Sequence, residues 1–368
     1  MSTKKDKFSS KDRKYMKLAI SLANSRKGLT GENPSVGCLI IKNDRIISIG
    51  RTGFNGRPHA EKNAIDNSFQ NLKGSKMYVS LEPCNHYGKT PPCTKSIIKS
   101  GISEVIYSMD DIDVKVKGKS FDILSKKKIK VKRGLLKKDA KKLYDSYIIN
   151  RKKKLPFVTA KIAVSKNDII YSQSVKRITN KISDKLSHYL RYKNDAIMIS
   201  GNTVNIDNPK LNCRLKGYEH FSPKRIILDK NLEINFKTYI FRSAKKDNTI
   251  IFHNSLNFPK IKLLKQKGIK LIRSRLNKKK RFDLKDIFKK LFSLGVRHLL
   301  VEGGDKLTKN MLKNKLINEF YMFKSPKNLP INKRYLMFTS NYILNKDYKK
   351  KSKISSKLAK DEITIYKR

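Results

Sequence analysis

The residue types best suited to chemistry lie in the first third of the chain. His59 and Glu61 stand two positions apart, and Cys84 and Cys93 follow, each directly after a proline. Imidazole and thiolate are ligands of zinc, and a catalytic zinc site takes three protein ligands and keeps one position of its tetrahedron open. One histidine and two cysteines provide three ligands. We therefore predict a catalytic zinc site formed by His59, Cys84 and Cys93.

Glu61 is close enough to His59 in the sequence to act at the same site. A carboxylate beside a metal-activated water takes up a proton and passes it to a leaving amine. A His-x-Glu motif followed by Pro-Cys is the signature of zinc deaminases, so we predict that Glu61 carries this proton. Cys38 and Cys213 are predicted to be buried thiols without a chemical role, because four cysteines in 368 residues do not indicate a disulfide scaffold.

The spacing of the two predicted cysteine ligands narrows the class of deaminase. They are nine positions apart, whereas nucleoside and tRNA deaminases use Cys-x-x-Cys. The segment Leu81–Cys93, which reads LEPCNHYGKTPPC, resembles the deaminase half of the bifunctional riboflavin-biosynthesis deaminase/reductase family. Three further segments match this family in the same order, namely Tyr15-Met16, Asn33–Cys38 and Gly56–Glu61. The resemblance therefore covers nearly all of residues 11–111.

The resemblance implies a cytidine-deaminase-like, three-layer α/β domain that acts on a small phosphorylated pyrimidine. The substrate would be 2,5-diamino-6-(5-phosphoribosylamino)pyrimidin-4(3H)-one, which loses its 2-amino group as ammonia. The family's zinc ligands and proton carrier coincide with the four residues predicted above. Its substrate-contacting positions correspond to Asn33, His86, Lys89 and Asp111. The chain departs from the family at Thr52, where a histidine is usual, and at residues 111–120, which lack both prolines of the family's loop.

Two polar clusters in the second half each follow a predicted buried strand. Thr203 and Asp207 follow the strand at 196–200, and Glu302-Gly303-Gly304 separates the strand at 298–301 from a helix. Ligands of α/β proteins bind at the carboxyl ends of strands, and glycines at a helix start let a phosphate approach the backbone N–H groups. Both clusters match the reductase half of the same family, and so does the segment Pro156–Ser165.

This second resemblance implies a dihydrofolate-reductase-like domain in which NADPH passes a hydride to C1′ of the ribosylamino group and so opens it to a ribityl chain. The implied substrate contacts are Arg191, Leu211, Arg214 and Glu302. The implied cofactor contacts are Thr203, Asp207, Gly304, Asp305, Lys306, Leu307, Thr308, Lys309 and Asn310. Several family residues are replaced, among them the tryptophan of Ser-x-Trp-Ile-Thr by Arg177. A deaminase-only enzyme with a degenerate reductase domain therefore stays open as an alternative.

Alternating helical and strand patterns predict an α/β protein with two domains. We assign residues 1–150 to a zinc deaminase domain and residues 151–368 to an NADPH-dependent reductase domain, with a polar, basic linker that ends at Leu155-Pro156. The predicted strands cover 36–41, 45–50, 77–81, 104–108, 157–164, 196–200, 225–228, 249–252, 298–301 and 362–366. The predicted helices cover 61–68, 94–100, 183–191, 283–294 and 305–312, and a further helical pattern spans Met16–Ala23.

The charge of the chain invites a different interpretation. Lys and Arg number 86 against 30 Asp and Glu, which gives a formal net charge of +56, and such a charge attracts a phosphate backbone. However, 68 of the 86 are lysines and they are dispersed along the chain, whereas base-edge recognition favours arginine. We therefore interpret the charge as a solvated, lysine-rich surface without a specific nucleic-acid partner. A nucleic-acid deaminase and a non-enzymatic basic binding protein stay open as alternatives.

The pattern of apolar residues bears on location. The sequence contains no run of 18 apolar residues, so it predicts no membrane-spanning helix and no membrane partner. Met1–Met16 is basic and has no apolar core, unlike a secretory signal. We expect a cytoplasmic protein that forms a homo-oligomer, either a dimer or a tetramer.

Overall fold

The structure is a computed structural model that describes residues 7–175, 177–246, 248–331, 334–354 and 360–368. The chain divides into two compact units, with the boundary between Lys154 and Leu155. In the described part of the chain, no helix is both long and apolar enough to cross a membrane.

The first unit is built on a five-stranded sheet. In chain order its elements are α1 (Ser10–Arg26), β1 (Gly37–Lys42), β2 (Arg45–Arg51), a short 3-10 helix (Phe54–Gly56), α2 (Ala60–Asp66), β3 (Lys76–Val79), α3 (Cys93–Lys99), β4 (Glu104–Tyr107), α4 (Lys119–Lys126), β5 (Lys130–Arg133), α5 (Lys137–Leu143) and α6 (Asp145–Lys153). The strand order is β2-β1-β3-β4-β5. β1 pairs antiparallel with β2 and β3, and β3, β4 and β5 run parallel.

Helices cover both faces of this sheet. Cys38 and Ile40 of β1 belong to one apolar cluster with residues of α2 and α3, whereas Leu39 and Ile41 belong to a second cluster with residues of α1. Successive side chains of a strand point to opposite faces, so a run of buried residues in β1 marks a strand with both faces covered. The strands predicted at 36–41 and 45–50 form a hairpin, and its turn uses Asn43 and Asp44 at positive φ.

The second unit is built on a nine-stranded sheet. Its elements are β6 (Phe157–Val164), β7 (Ile169–Ser172), α7 (Lys181–Tyr192), β8 (Ala196–Ser200), α8 (Gly201–Asp207), a short 3-10 helix (Glu219–Phe221), β9 (Lys224–Leu228), α9 (Tyr239–Arg242), β10 (Thr249–His253), α10 (Phe258–Gln266), β11 (Lys270–Arg273), α11 (Leu284–Ser293), β12 (His298–Val301), α12 (Asp305–Lys313), β13 (Glu319–Lys324), β14 (Tyr335–Met337), α13 (Asn341–Asp347), β15 (Lys350–Lys353) and β16 (Glu362–Lys367).

The strand order of this large sheet is β11-β10-β9-β8-β12-β6-β13-β16-β15, and β7 pairs with β14 in a separate ribbon. The seven strands from β11 to β13 run parallel, and β16 and β15 add an antiparallel edge. Apolar residues of α11, α12 and α13 pack on one face, and those of α7, α8, α9 and α10 pack on the other. The sheet is therefore the middle layer of three.

The segment interpreted from sequence as a polar, basic linker is instead largely helical. It forms α5 and α6, and Ala140, Tyr144 and Tyr147 on these helices are buried. The helical pattern of this segment is weak in the sequence, because its two helices are short, rich in lysine and carry few apolar residues each. The predicted domain boundary at residue 150 therefore lies within α6, a few residues before the division into compact units.

Candidate functional site

Three helix and strand ends bring the predicted zinc ligands together. His59 is the N-cap of α2, Cys93 is the first residue of α3, and Cys84 lies in the loop after β3. The Nδ1 atom of His59 lies 3.5 Å from Sγ of Cys84 and 3.4 Å from Sγ of Cys93, and the three ligand atoms all lie within 4.8 Å of one another. A tetrahedral zinc with bonds of about 2.0 to 2.3 Å needs ligand atoms roughly 3.5 Å apart. The donor set therefore fits zinc.

The two thiols are arranged so that one of them ionises readily. The backbone N–H of Cys93 donates to Sγ of Cys84 at 3.3 Å. Hydrogen bonds, first from the Cys93 thiol and then from His59, lower the pKa of Cys84 to about 4. Since the thiolate is the form that binds a metal, Cys84 is prepared for ligation at neutral pH.

Glu61 is the second residue of α2 and is 3% exposed. It lines the same cleft as His59 and Cys84. Burial, followed by the negative charge of Cys84, raises the pKa of Glu61 to about 7. A carboxyl group that titrates near neutral pH both accepts and returns a proton, which is the property required of a proton carrier.

His59, Cys84 and Glu61 border a cleft of about 710 Å³, and the third predicted zinc ligand, Cys93, is buried behind it. Three of the four positions predicted to contact the substrate, Asn33, His86 and Asp111, also line it. Lys89 is exposed and is absent from the lining, although its neighbours Gly88 and Thr90 are part of it. The structure thus gathers residues from positions 33 to 111 of the sequence around one cavity.

Thr52 occupies the position where the family usually has a histidine, and here its hydroxyl stabilises the backbone. Its Oγ1 accepts the N–H of Val36 at 2.8 Å and donates to the carbonyl of Pro34 at 3.2 Å. Asn33 has a similar local contact, because its Nδ2 donates to the carbonyl of Gly56 at 3.0 Å. The wall of the cleft around residues 33–36 is therefore held by these two side chains.

Glu82 organises the loop that lacks the family's prolines. Its buried carboxylate accepts the backbone N–H groups of Asp111, Gly118 and Ser120 at 3.0 to 3.2 Å. Three such bonds to a charged acceptor fix the loop without proline. The sequence analysis did not assign Glu82 a role, although an acidic residue directly before Pro83-Cys84 marked the position.

Helix α6 adds Tyr147 and Arg151 to the lining of the cleft. Neither residue was predicted from the sequence, because this segment was interpreted as a linker. The hydroxyl of Tyr147 donates to Oδ1 of Asp111 at 3.1 Å, and the guanidinium of Arg151 lies 3.7 Å from the carboxylate of Asp113. Both side chains line the cleft. Tyr147 therefore positions Asp111, one of the predicted substrate contacts.

Removal of this hydroxyl tests its positioning role. We expect Tyr147→Phe to raise KM for deamination roughly fivefold, the effect of one hydrogen bond of about 1 kcal/mol, with a smaller change in kcat. Steady-state ammonia release measures both constants. Tyr87→Phe, at an exposed tyrosine of the same unit, is the matched control and should leave them unchanged. An equal loss in both variants would contradict the assignment.

The second candidate site lies at the carboxyl ends of two neighbouring parallel strands. β8 and β12 pair with each other, and the N–H of Glu302 donates to the carbonyl of Met198. α8 then packs on one face of the sheet and α12 on the other. Such a divergence leaves a crevice between the two strand ends, which is where α/β proteins bind ligands. The predicted cofactor position Thr203 is the third residue of α8, and Gly304 is the N-cap of α12.

The structure pairs two predicted substrate contacts with each other. Nε and Nη2 of Arg191 donate to the two carboxylate oxygens of Glu302 at 2.9 and 2.8 Å, and Nη1 donates to the carbonyl of Asn212. Burial alone would raise the pKa of Glu302, but the guanidinium of Arg191 lowers this pKa to about 2. The guanidinium of Arg191 is therefore occupied by Glu302, although the family resemblance implies that each of these residues contacts the substrate.

A cleft of about 1370 Å³ adjoins this ion pair. This cleft is lined by three residues predicted to contact a ligand, namely Arg191, Arg214 and Asp207. Lys161 also lines it, although no role was predicted for this residue from the sequence. Burial lowers the pKa of Lys161. Leu211 has a buried side chain and a φ of 55°, so only its backbone is available to a ligand.

The cofactor positions on α12 are used in different ways. The carboxylate of Asp305 accepts bonds from Thr339 and Ser340, and Oγ1 of Thr308 donates to the carbonyl of Gly303. Leu307 packs against the core, while Lys306, Lys309 and Asn310 are at least partly exposed. A Cβ built on Gly304 would meet no atom within 4 Å, so the backbone at the helix start is open to a ligand.

His188 gives this site a pH dependence. Its Nδ1 accepts the backbone N–H of Arg214 at 3.3 Å. Burial and the charges of Arg191 and Arg214 lower the pKa of His188 from 6.5 to about 4. Between these two values the unfolded chain binds the proton and the folded chain does not, so the free energy of unfolding rises with pH.

We expect His188 to lower the melting temperature of the second unit as the pH falls from 6.5 towards 4, whereas Asp195, whose pKa burial raises to about 6, acts in the opposite direction. On acidification, His188→Gln should therefore lose less in melting temperature than the unmodified protein. Scanning calorimetry at a series of pH values measures both transitions. His220→Gln, at an exposed histidine, is the control and should retain the slope of the unmodified protein. The same slope in all three proteins would show that His188 contributes nothing.

Two family models match the chain. The one described as "Cytidine and deoxycytidylate deaminase zinc-binding region" matches residues 9–109, and the one described as "RibD C-terminal domain" matches residues 156–355. The riboflavin biosynthesis protein RibD of Aquifex aeolicus is 36% identical over 318 residues, which cover 86% of this chain and 87% of that protein. RibD of Buchnera aphidicola is 33% identical over 350 residues, with 90% and 91% covered.

Solved structures agree with this relationship. The deaminase/reductase of Thermotoga maritima, described as a diaminohydroxyphosphoribosylaminopyrimidine deaminase and 5-amino-6-(5-phosphoribosylamino)uracil reductase, superposes with a TM-score of 0.79 at 30% identity, covering 97% of this chain and 98% of that chain. RibD of Acinetobacter baumannii superposes with a TM-score of 0.81 at 26% identity, with the same coverage. The similarity therefore extends over both compact units.

Proposed function

The chain belongs to the RibD family of bifunctional riboflavin-biosynthesis enzymes, and from this premise we propose that each unit catalyses one step on the family's substrate. The first removes the 2-amino group of 2,5-diamino-6-(5-phosphoribosylamino)pyrimidin-4(3H)-one by hydrolysis. The second reduces the ribosyl group of the product to a ribityl chain with NADPH. The observation that carries the proposal is the convergence of the ligand atoms of His59, Cys84 and Cys93, with Glu61 in the same cleft as His59 and Cys84.

In the first unit, His59, Cys84 and Cys93 would hold the zinc. When bound, zinc lowers the pKa of a water molecule and so supplies a nucleophile at neutral pH. Glu61 takes up the proton that is released and delivers it to the leaving amine nitrogen. Burial raises the pKa of Glu61 to about 7. The carboxyl group therefore suits both the uptake of the proton and its delivery near neutral pH. Asn33, His86 and Asp111 border the space for the pyrimidine and its ribosyl group.

In the second unit, NADPH supplies the hydride when it is bound. The residues present fit this cofactor, because the first turns of α8 and α12 follow two paired parallel strands and the backbone at Gly304 is open to a ligand. Lys161 and Arg214 offer N–H donors to the substrate in the adjoining cleft. The ion pair of Arg191 and Glu302 fixes the wall between the cleft and the strand ends.

Incubation of the protein with the diaminopyrimidine phosphate, with and without NADPH, tests both steps. Without NADPH we expect only the deaminated product, and with NADPH the ribityl product, each identified by mass. Deaminated product that stays unreduced, with no loss of NADPH absorbance, would support the deaminase-only alternative. Unchanged substrate despite stoichiometric zinc would reject the deaminase assignment.

The high charge does not change this proposal. The proposed substrate and cofactor are small anions, whose encounter with the protein a positive field accelerates. We place the protein in the cytoplasm as a dimer or tetramer without a specific nucleic-acid partner. Light scattering of the purified protein measures the oligomeric state. A salt-resistant, sequence-selective complex with RNA or DNA would contradict the expected absence of a nucleic-acid partner.

A further inference from the structure

The mouth of the zinc cleft carries an arginine that neither the motifs nor the proposed mechanism uses. Arg57 precedes the Pro58-His59 pair, and its side chain lines the cleft beside the segment between the two cysteine ligands, Asn85–Pro92. We propose that Arg57 binds the 5′-phosphate of the substrate and makes the deaminase selective for the phosphorylated pyrimidine. This inference rests on the proposed function of the first unit.

The guanidinium of Arg57 is held in place against this segment. Its Nη1 donates to Oγ1 of Thr90 at 2.5 Å, and its Nη2 lies 3.9 Å from the position that a Cβ on Gly88 would occupy. The loop that carries Arg57 is itself closed, because the N–H of Gly53 donates to the carbonyl of Pro58 at 2.9 Å. The side chain of Arg57 is therefore oriented by Thr90, and its backbone is oriented by the closed loop. This order reduces the conformational entropy that Arg57 loses when it binds a ligand.

The charges around the cleft leave Arg57 available for an anion. The carboxylates of Glu82 and Asp111 accept backbone N–H groups, and Asp113 lies beside Arg151. Within the residues that the structure describes, none of these carboxylates forms an ion pair with Arg57. Nη1 of Arg57 donates to the neutral hydroxyl of Thr90 and lies 3.5 Å from Nε2 of His59. None of these contacts is with a carboxylate, so the positive charge of Arg57 in the lining of the cleft is not neutralised by the carboxylates named above.

The chemistry of the substrate determines which anion this is. Its pyrimidine must reach Glu61 and the zinc ligands inside the cleft, so its phosphoribosyl group extends towards the mouth. The phosphate is the group on this substrate that carries negative charge at neutral pH, and a planar guanidinium binds phosphate oxygens with two parallel hydrogen bonds. Lys89 is exposed on the same segment and offers the phosphate only a point charge. Arg57 instead offers hydrogen bonds of fixed direction, because its guanidinium is planar.

Steady-state deamination of two substrates tests the proposal, the phosphorylated pyrimidine and the same compound without its phosphate. For Arg57→Ala we expect KM for the phosphorylated substrate to rise roughly 10- to 100-fold, the effect of one charge-assisted bidentate contact. We expect kcat to change less than about twofold and KM for the unphosphorylated substrate to stay the same. Arg57→Lys should recover part of the loss. Arg51→Ala, at an exposed arginine of β2, is the matched control.

The zinc content and the melting temperature of each variant are measured first, because Arg57 is close to a zinc ligand. If Arg57→Ala loses zinc, Thr90→Val takes its place, since it frees the guanidinium without removing it and should raise KM for the phosphorylated substrate alone. Equal increases for both substrates, or no increase for either, would overturn the proposal. Failure of the unmodified protein to deaminate either compound would instead overturn the proposed function.

Discussion

Replacement of Glu61 by glutamine is expected to abolish ammonia release while the zinc content stays at one ion per chain. Glutamine keeps the size and shape of the side chain but cannot take up and return a proton. Loss of a positioned proton carrier slows such reactions by a factor of about 10² to 10⁴. The zinc ligands are separate side chains, and the distances between His59, Cys84 and Cys93 involve no atom of Glu61.

Three measurements on this variant separate chemistry from folding. Metal analysis gives the zinc content, a coupled assay gives the rate of ammonia release, and supply of the deaminated product with NADPH gives the rate of the second step. We expect the third rate to equal that of the unmodified protein. Glu219→Gln, the same chemical change at an exposed glutamate, is the control. Ammonia release near the rate of the unmodified protein would falsify the role of Glu61.

The zinc site could be predicted because its chemistry is encoded locally. His59 and Glu61 lie at the start of one helix, and each cysteine follows a proline, Cys84 in the loop after β3 and Cys93 at the first residue of α3. Short motifs of this kind specify residue types that have few other uses. The alternation of apolar and polar segments likewise placed the central strands, among them β1, β6 and β8, close to where the structure has them.

The walls of the cleft could not be predicted in the same way. Tyr147 and Arg151 reach the zinc site from α6, and Glu82 fixes a loop some 30 positions further along the chain. These contacts depend on how α6 packs, which a lysine-rich segment does not reveal. β13 was also missed, although it lies inside the sheet and its uninterrupted apolar run Phe320–Phe323 is typical of a buried strand.

The pairing of Arg191 with Glu302 shows a further limit. The two residues are 111 positions apart, and each was assigned to the substrate on its own motif. An arginine in a ligand cleft suggests an anion as its partner, but here the protein provides that anion itself. Only the parallel pairing of β8 with β12 brings the end of α7 and the loop after β12 together.

Disruption of this pair is expected to destabilise the second unit strongly. Removal of one partner from a fully buried ion pair costs about 3 to 5 kcal/mol, and we expect a smaller loss here because the two side chains are 12% and 14% exposed. Lys161 lies in the same charge cluster and its pKa responds to Glu302 and Arg191. Loss of Glu302 therefore leaves two cations together, whereas loss of Arg191 leaves a carboxylate beside a lysine. We expect Glu302→Leu to lower the melting temperature more than Arg191→Met.

The double variant distinguishes stability from function. Arg191→Met combined with Glu302→Leu removes both charges and keeps apolar volume, so we expect it to be more stable than Glu302→Leu alone, since an apolar replacement of a buried ion pair is often tolerated. NADPH oxidation with the deaminated substrate should be lost in all three variants, because the cleft no longer has its polar wall. Calorimetry measures the free energy of unfolding of the second unit in the unmodified protein, the two single variants and the double variant, which together form a mutant cycle. The unfolding transition of the zinc-binding unit is the internal reference. Additive losses in the double variant would mean that the two side chains do not stabilise each other, and full reductase activity in it would mean that neither acts on the substrate.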